Sequence, residues 1–179
     1  MATRATYHFV DDDNLKTTVY IHWDGYQEGA ANYFYQMLTN PSKGNLATQF
    51  IRANPNAEIT SSHNAHADTE YQYNIIGNDG GATLVVKQKR KKKFVYNGKL
   101  FEFINQNPFI IENFKPIKML LNEWFYATYL NSDMAQKLIN EKQKYIENWK
   151  DKLHQGVRSA NEQIEQLKKL FPELETQSI

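Results

Sequence analysis

The chain has 179 residues, of which 41% are hydrophobic and 23% are charged, and this balance excludes a disordered protein. The formal net charge is +1 at pH 7, so a nucleic acid or an anionic membrane would have to be bound by a local patch rather than by the overall charge. The absence of cysteine excludes disulfides, thiol nucleophiles and thiolate metal sites.

The N-terminal segment MATRATYHFVDDD contains no apolar run of the kind found in secretory signals. No window approaches the roughly 20 apolar residues that a transmembrane helix needs. We therefore expect a soluble cytoplasmic protein without a membrane partner, forming one domain or one domain with an appendage.

Two strands are predicted near the N-terminus. Residues 3–10 and 15–22 alternate between apolar and polar side chains, with Ala5, Tyr7 and Phe9 on one face of the first strand. A period of two on both sides of the turn DDDN is typical of an antiparallel hairpin. The aspartates of this turn are most simply solvated, because consecutive side chains point in different directions and do not readily form the alternative, a cation site.

Two helices are predicted to follow, the first over residues 27–38. Its apolar face consists of Ala30, Phe34, Met37 and Leu38. Ser42 can cap a second, short helix that ends before Asn54-Pro55, where a polar loop over 54–67 begins.

Four further strand segments are predicted before residue 108. Residues 68–76 and 82–90 read as strands joined by the turn GNDGG, and KFVY and KLFEFI flank Asn97-Gly98, a strong hairpin signal. The sheet would then have about six strands, mostly or wholly antiparallel.

The chain after Pro108 is predicted to be helical. Residues 116–130 are apolar on most sides, which favours a core or interface helix, and Ser132 can cap a final helix beginning at Asp133 or Met134. Spacings of three and four relate its apolar residues, which form a narrow ridge like a coiled-coil seam. The ridge consists of Ile146, Trp149, Leu153, Val157, Ala160, Ile164, Leu167 and Phe171.

A continuous helix from 133 to 171 would be about 58 Å long, whereas a compact chain of this size has a radius of gyration of about 16 Å. The helix must therefore protrude, pair with another copy, or fold back near His154-Gln155-Gly156. We predict that residues 116–171 mediate self-association into a homo-oligomer; the alternative is that the helix lies across the sheet and completes the core.

Together these patterns predict an α+β fold. It has a mainly antiparallel sheet of about six strands, packed helices, and a helical C-terminal third that ends in a long amphipathic helix. Residues 1–107 would form the sheet domain and 108–179 the helical region, or the two would form one continuous domain.

The stretch YIHWDGYQEG (20–29) turns a strand into a helix. Asp24 is well placed as the N-cap of that helix, and Gln27 completes a capping-box-like pair. The functional alternative is an acid–base pair of His22 and Asp24 near a helix N-terminus, as in a hydrolase. No nucleophile lies at a spacing from this pair that would indicate a catalytic site, which favours the structural interpretation.

This corner, together with the preceding RATYHF, resembles uncharacterised bacterial and phage-associated proteins that carry a Tyr-x-His-x-Asp-Gly-Tyr-Pro corner. The resemblance covers roughly residues 4–35, with ADTEYQY as a later strand, and Gln27 stands where the proline is expected. It implies a shared fold at the corner and assigns no catalytic residue.

Two polar clusters are candidate sites. His63, His66 and Asp68 are residue types that bind zinc or iron, with His22 as a fourth ligand if the loop lies over the corner. The spacing of the two histidines suits a helix better than the loop predicted here, so we favour solvated histidines and expect no metal or cofactor.

The second cluster is KQKRKKK (87–93), which has six cations in seven residues and aromatic residues beside it. Such a patch can bind the phosphates of single-stranded nucleic acid while the rings stack on bases. The alternative, which we favour, is a protruding hairpin end whose charge keeps an edge strand soluble. The cations are Lys87, Lys89, Arg90, Lys91, Lys92 and Lys93.

The sequence therefore favours a non-enzymatic binding or interaction protein that self-associates through residues 116–171. It does not decide whether the protein catalyses a reaction. Single-stranded nucleic-acid binding through 87–93 is the first alternative. A hydrolase using His22 and Asp24, with or without a metal at His63, His66 and Asp68, is the second.

Overall fold

A six-stranded mixed sheet with helices on one face forms most of the protein. The computed structural model describes residues 2–11, 13–78, 81–121, 126–149 and 155–174. The strands are β1 (Ala5–Val10), β2 (Lys16–Ile21), β3 (Glu58–Thr60), β4 (Tyr71–Asn78), β5 (Gly81–Gln88), β6 (Lys93–Lys99), β7 (Lys118–Leu121) and β8 (Ala127–Leu130). The helices are α1 (Gln27–Thr39), α2 (Leu46–Ala53), α3 (Leu100–Gln106), α4 (Ser132–Trp149) and α5 (Gln155–Leu170).

The strand order β3-β2-β1-β4-β5-β6 makes the sheet mixed. The predicted hairpins β1–β2 and β4–β5 are antiparallel, but β1 and β4 pair in parallel, with Tyr7 opposite Tyr73. This pairing joins strands that are distant in sequence, because α1, α2 and β3 lie between them in the chain. The predicted α+β class is confirmed, with a sheet that is mixed rather than wholly antiparallel.

The core lies between the sheet and helices α1, α2 and α3. Tyr7 and Tyr73 stack with ring centroids 4.9 Å apart, and Phe34, Phe50 and Phe103 pack around them. All five of these rings are fully buried. The predicted apolar faces of the first strand and the first helix are confirmed as parts of this core.

The hairpin predicted at Asn97-Gly98 is wrong. Strand β6 continues through both residues, since Asn97 pairs with Val85 and Gly98 with Leu84. The following segment is α3, which buries Leu100, Phe103 and Ile104. These positions are spaced at i, i+3 and i+4, which is a helical pattern. The same segment also alternates between apolar and polar residues, which is a strand pattern.

Two smaller predictions before β4 are also corrected. Asn45, rather than Ser42, caps α2, because its side chain accepts a hydrogen bond from the Thr48 backbone N–H. The predicted polar loop over 54–67 contains the short strand β3, which pairs with β2 at the edge of the sheet.

The helix predicted over 116–130 is wrong as well. Its described residues form the antiparallel hairpin β7–β8, and residues 122–125 lie outside the described part. The hairpin is fixed to the main sheet by Tyr129, whose hydroxyl accepts a hydrogen bond from the Ala82 backbone N–H at 2.7 Å. An apolar run without a clear period is compatible with a strand as well as with a buried helix.

In the described part of the C-terminal region, two helices, α4 and α5, pack against each other and against the β7–β8 hairpin. Their shared cluster consists of Leu130, Ala135, Ile139, Ile164, Leu167 and Phe171. The single long helix is therefore not confirmed; residues 150–154, including Leu153 of the predicted ridge, lie outside the described part. The division at residue 107 and the self-association stay predictions.

The start of α4 is close to the predicted one. The helix begins at Ser132, and its capping side chain is that of Asn131, which accepts a hydrogen bond from the Met134 backbone N–H. Within the described ranges, no helix has the length and apolar character needed to cross a membrane.

Candidate functional site

The face of the sheet opposite the helices is polar, and the strand register fixes which side chains share it. We call it the polar face. One row across it consists of Tyr20, Thr6, Gln72, Lys87 and Phe94. The next row consists of Thr18, His8, Asn74, Val85 and Asn97. Because β1 lies between β2 and β4, residues far apart in sequence become neighbours on this face.

The corner at Asp24 is held by close backbone packing rather than by the predicted N-cap. Tyr26 occupies the N-cap position of α1 and makes no side-chain capping bond. Asp24 has φ 50°, and a Cβ added at Gly29 would overlap its carbonyl oxygen. The Gly25 N–H donates to the Thr3 carbonyl at 2.7 Å, which ties the corner to the start of the sheet.

His22 lies at the polar-face side of this corner and contacts Arg4 and Tyr20. The Arg4 Nε donates to His22 Nδ1 at 3.4 Å, and the Tyr20 hydroxyl lies 3.2 Å from the same nitrogen. Asp24 acts electrostatically on the tyrosines instead, since its charge helps burial to raise the pKa of Tyr33 to about 12. His22 thus forms its hydrogen bonds with Arg4 and Tyr20 rather than with the Asp24 carboxylate that the hydrolase hypothesis requires.

The loop over residues 61–69 covers the middle of the polar face. His63 places Nδ1 2.7 Å from Thr6 Oγ1 and Nε2 3.1 Å from Asn74 Oδ1. Further along the loop, His66 stacks on Tyr20 with ring centroids 3.7 Å apart. The loop is therefore docked by imidazole contacts rather than left as a solvated segment.

Asp68, at the end of this loop, forms an ion pair with Arg4 at 2.9 Å. Within the described residues, no three histidine, aspartate or glutamate side chains are grouped as a metal site. His63, His66 and Asp68 thus reach the same face as His22 but contact Thr6, Tyr20 and Arg4 respectively.

Burial lowers the pKa of His63, and the positive charges of Lys87 and Lys89 lower it further, while the hydrogen bond with Asn74 acts in the opposite direction. The pKa of His8, whose ring lies 5.5 Å from that of His63, is also lowered, chiefly by burial. Both imidazoles therefore favour the neutral form. A neutral His63 donates from Nε2 to Asn74 and accepts at Nδ1 from the Thr6 hydroxyl.

The basic run 87–93 forms the end of the β5–β6 hairpin, and we call it the basic hairpin end. Lys87 lies in β5, residues 89–92 form the turn with Lys92 at φ 49°, and Lys93 begins β6. The side chains of Arg90, Lys91, Lys92 and Lys93 are exposed. In the described part of the chain, none of these four cations forms an ion pair with a carboxylate.

The aromatic residues beside the basic hairpin end divide into two groups. Phe94 is 63% exposed on the polar face, and the ammonium of Lys87 lies over its ring, 6.0 Å from the centroid. Phe103 is fully buried and packs edge-on against Tyr96. Phe94 is therefore available for stacking, whereas Phe103 belongs to the core.

The sequence did not single out Arg4, Thr6, Tyr20 or Asn74 as candidate site residues. The signals available were the alternation in residues 3–10, which puts Arg4 and Thr6 on the polar side of the first strand, and the alternation in residues 15–22, which puts Tyr20 on the same strand face as His22. Comparison of the chain with known protein families, curated proteins and solved structures finds no match to any of them.

Proposed function

We propose that this protein is a non-enzymatic binding protein and that its ligand is single-stranded nucleic acid, held at the basic hairpin end. The observation that carries the proposal is the exposed Phe94 ring beside Lys87, next to four exposed cations. A ring for stacking and cations for phosphates are the two elements of sequence-tolerant single-strand binding.

The distribution of charge supports this assignment. The basic hairpin end carries six positive charges, whereas the whole chain carries a net charge of +1, so the remainder is net negative. A polyanion would therefore be attracted to this region more strongly than to the rest of the surface taken as a whole. The competing explanation, that the lysines keep edge strand β6 from pairing with other chains, accounts for the charge but not for the exposed ring.

The test is the binding of a fluorescein-labelled oligo(dT), followed by fluorescence anisotropy at several salt concentrations. Replacing Lys89, Arg90, Lys91 and Lys92 with Gln should remove most of the affinity and reduce the salt slope by up to about 3, at about 0.7 for each phosphate contact. Binding of this variant equal to that of the native protein would refute the proposal.

The matched control changes the same net charge on another surface. Lys137, Lys142, Lys144 and Lys169 lie on α4 and α5, outside the polar face. Replacing these four with Gln should leave both the affinity and the salt slope unchanged. An equal loss in the control variant would mean that overall charge, rather than the basic hairpin end, governs binding.

Self-association through residues 116–171 is a second proposal, supported by apolar side chains left exposed in this region. Leu121 is 44% and Tyr126 is 58% exposed at the β7–β8 hairpin. Light scattering of the native protein should give an oligomer, and Leu121→Gln should shift it toward the monomer. A native monomer at tens of micromolar would refute it.

Hydrolysis by His22 and Asp24 finds less support. A general base polarised by a carboxylate needs that carboxylate at the imidazole, and the hydrogen bonds of His22 are with Arg4 and Tyr20. Asp24 is accounted for by the backbone corner at Gly29.

A further inference from the structure

We propose that the nucleic-acid site extends from the basic hairpin end along edge strand β6 and ends in a cavity that takes a nucleobase. This inference rests on the proposed function and adds a base-binding subsite that lies outside residues 87–93. The residues concerned, which we call the edge strip, are Phe94, Asn97, Lys99 and Phe101.

The strand register places Phe94, Asn97 and Lys99 on the open part of the polar face, whereas Phe101 follows β6 in α3 and is partly buried against the core. Asn97 pairs with Val85 and Lys99 pairs with Thr83, so both lie on the same side of β6 as Phe94, which pairs with Lys87. The loop over 61–69 docks on Arg4, on residues of β1, β2 and β4, and on Lys89, whose ammonium donates to the Ala67 carbonyl. An extended ligand can therefore follow β6 without displacing that loop.

The two ends of the edge strip repeat the same local chemistry. At the hairpin end, the Lys87 ammonium lies over the ring of Phe94; at the far end, the Lys99 ammonium lies over the ring of Phe101, 5.9 Å from its centroid. Each pair combines a cation for a phosphate with a ring for a base. Five residues of strand, or about 17 Å, separate Phe94 from Lys99.

A cavity of about 210 Å³ lies at the far end of the strip. Its lining includes Asn78, Thr83, Lys99, Phe101, Met119 and Tyr129. The rings of Phe101 and Tyr129 provide aromatic wall, with centroids 6.2 Å apart, and the Asn78 amide and Thr83 hydroxyl are groups that hydrogen-bond base edges. This lining matches a nucleobase, which is a flat ring with polar edges. The phosphate of the same chain would then contact Lys99.

The geometry favours a single strand over a duplex. Stacking on Phe94 and Phe101 requires bases with exposed faces, which a duplex does not present along its length. The strip is long enough for about four nucleotides, the lower end of the site sizes of single-strand-binding folds.

The experiment uses the full-length protein and labelled oligo(dT) in the anisotropy assay, with two single substitutions. Lys99→Gln should reduce the salt slope by about 0.7, the effect of one phosphate contact. Phe101→Leu, which keeps an apolar side chain against Tyr129 but removes the ring face, should weaken binding at least about fivefold. Lys142→Gln and Phe109→Leu, which change an α4 lysine and a ring that is 87% exposed outside the strip, should bind as the native protein does.

The outcomes separate this inference from the function on which it rests. If Lys99→Gln and Phe101→Leu bind like the native protein while the four-cation variant of the hairpin loses binding, the subsite is refuted and the proposed function stands. If the native protein binds no oligonucleotide at low salt, both are refuted. If Phe101→Leu is destabilised in a thermal melt, the salt slope of Lys99→Gln decides whether the subsite exists, because the Lys99 side chain is exposed.

Discussion

The stacked pair Tyr7 and Tyr73 provides the sharpest test of how the corner at Asp24 is held. The Tyr73 hydroxyl is buried and donates to the Gly25 carbonyl at 2.9 Å, which joins the corner to β4. The hydroxyl of Tyr7, one strand away and equally buried, has no hydrogen-bond partner among the described residues. Two phenols in similar surroundings thus differ in one hydrogen bond.

Tyr73→Phe leaves the Gly25 carbonyl without its donor, and leaving a buried polar group unsatisfied costs about 1–3 kcal/mol. We therefore expect the free energy of unfolding to fall by about 2 kcal/mol. For a chain of this size, this corresponds to a decrease in Tm of about 4–8 °C. Tyr7→Phe removes a hydroxyl that has no partner in the described part of the chain, so it should leave stability unchanged or raise it.

Urea unfolding followed by tryptophan fluorescence and by far-UV circular dichroism measures both variants. Their m-values should equal that of the native protein, because the surface exposed on unfolding does not change. A Tyr7→Phe variant that is destabilised as much as Tyr73→Phe would refute the reasoning, since the loss would then not depend on the hydrogen bond to Gly25.

Two further predictions concern the corner and the polar face. Gly29→Ala should lower the free energy of unfolding by about 3 kcal/mol or more, because the new Cβ overlaps the Asp24 carbonyl; a thermal melt close to that of the native protein would contradict it. Acid should also weaken the fold through His63. Its folded-state pKa is lowered, so the unfolded chain binds the proton first, and stability falls as the pH drops below about 6.5 toward the folded-state pKa. Between about pH 7.5 and 5, the urea midpoint should fall less in His63→Gln than in the native protein. An equal fall in both proteins would show that His63 is not the source of the acid sensitivity.

Local patterns predicted the parts of the fold whose partners are close in sequence. Alternation in β1 placed Tyr7 and Phe9 in the core, and the period of α1 placed Phe34 there. The same reasoning failed at Asn97-Gly98, where a favourable turn sequence was overridden by pairing of β6 with β5 through both residues. It failed again in residues 116–130, where a nearly continuous apolar run carries no period to separate strand from helix.

The candidate site was only partly accessible from the sequence. The basic run was recognisable as a hairpin end with a nearby ring, because Lys87 and Phe94 are close in the chain. The convergence of His22 and His63 on one face depends on the parallel pairing of β1 with β4, which no local signal encodes. Likewise, the separation of Phe94 from the buried Phe103 follows from α3, which was predicted as a strand.

The most direct test of the proposed function is the salt dependence of single-strand binding by the native protein. An oligo(dT) of about twelve nucleotides, within the usual range of single-strand sites, is titrated by anisotropy from low to physiological salt. The basic hairpin end predicts binding at low salt, with log K falling against log salt at a slope approaching about −4 for six phosphate contacts. No change in anisotropy at the lowest salt, or an affinity that does not depend on salt, would contradict it.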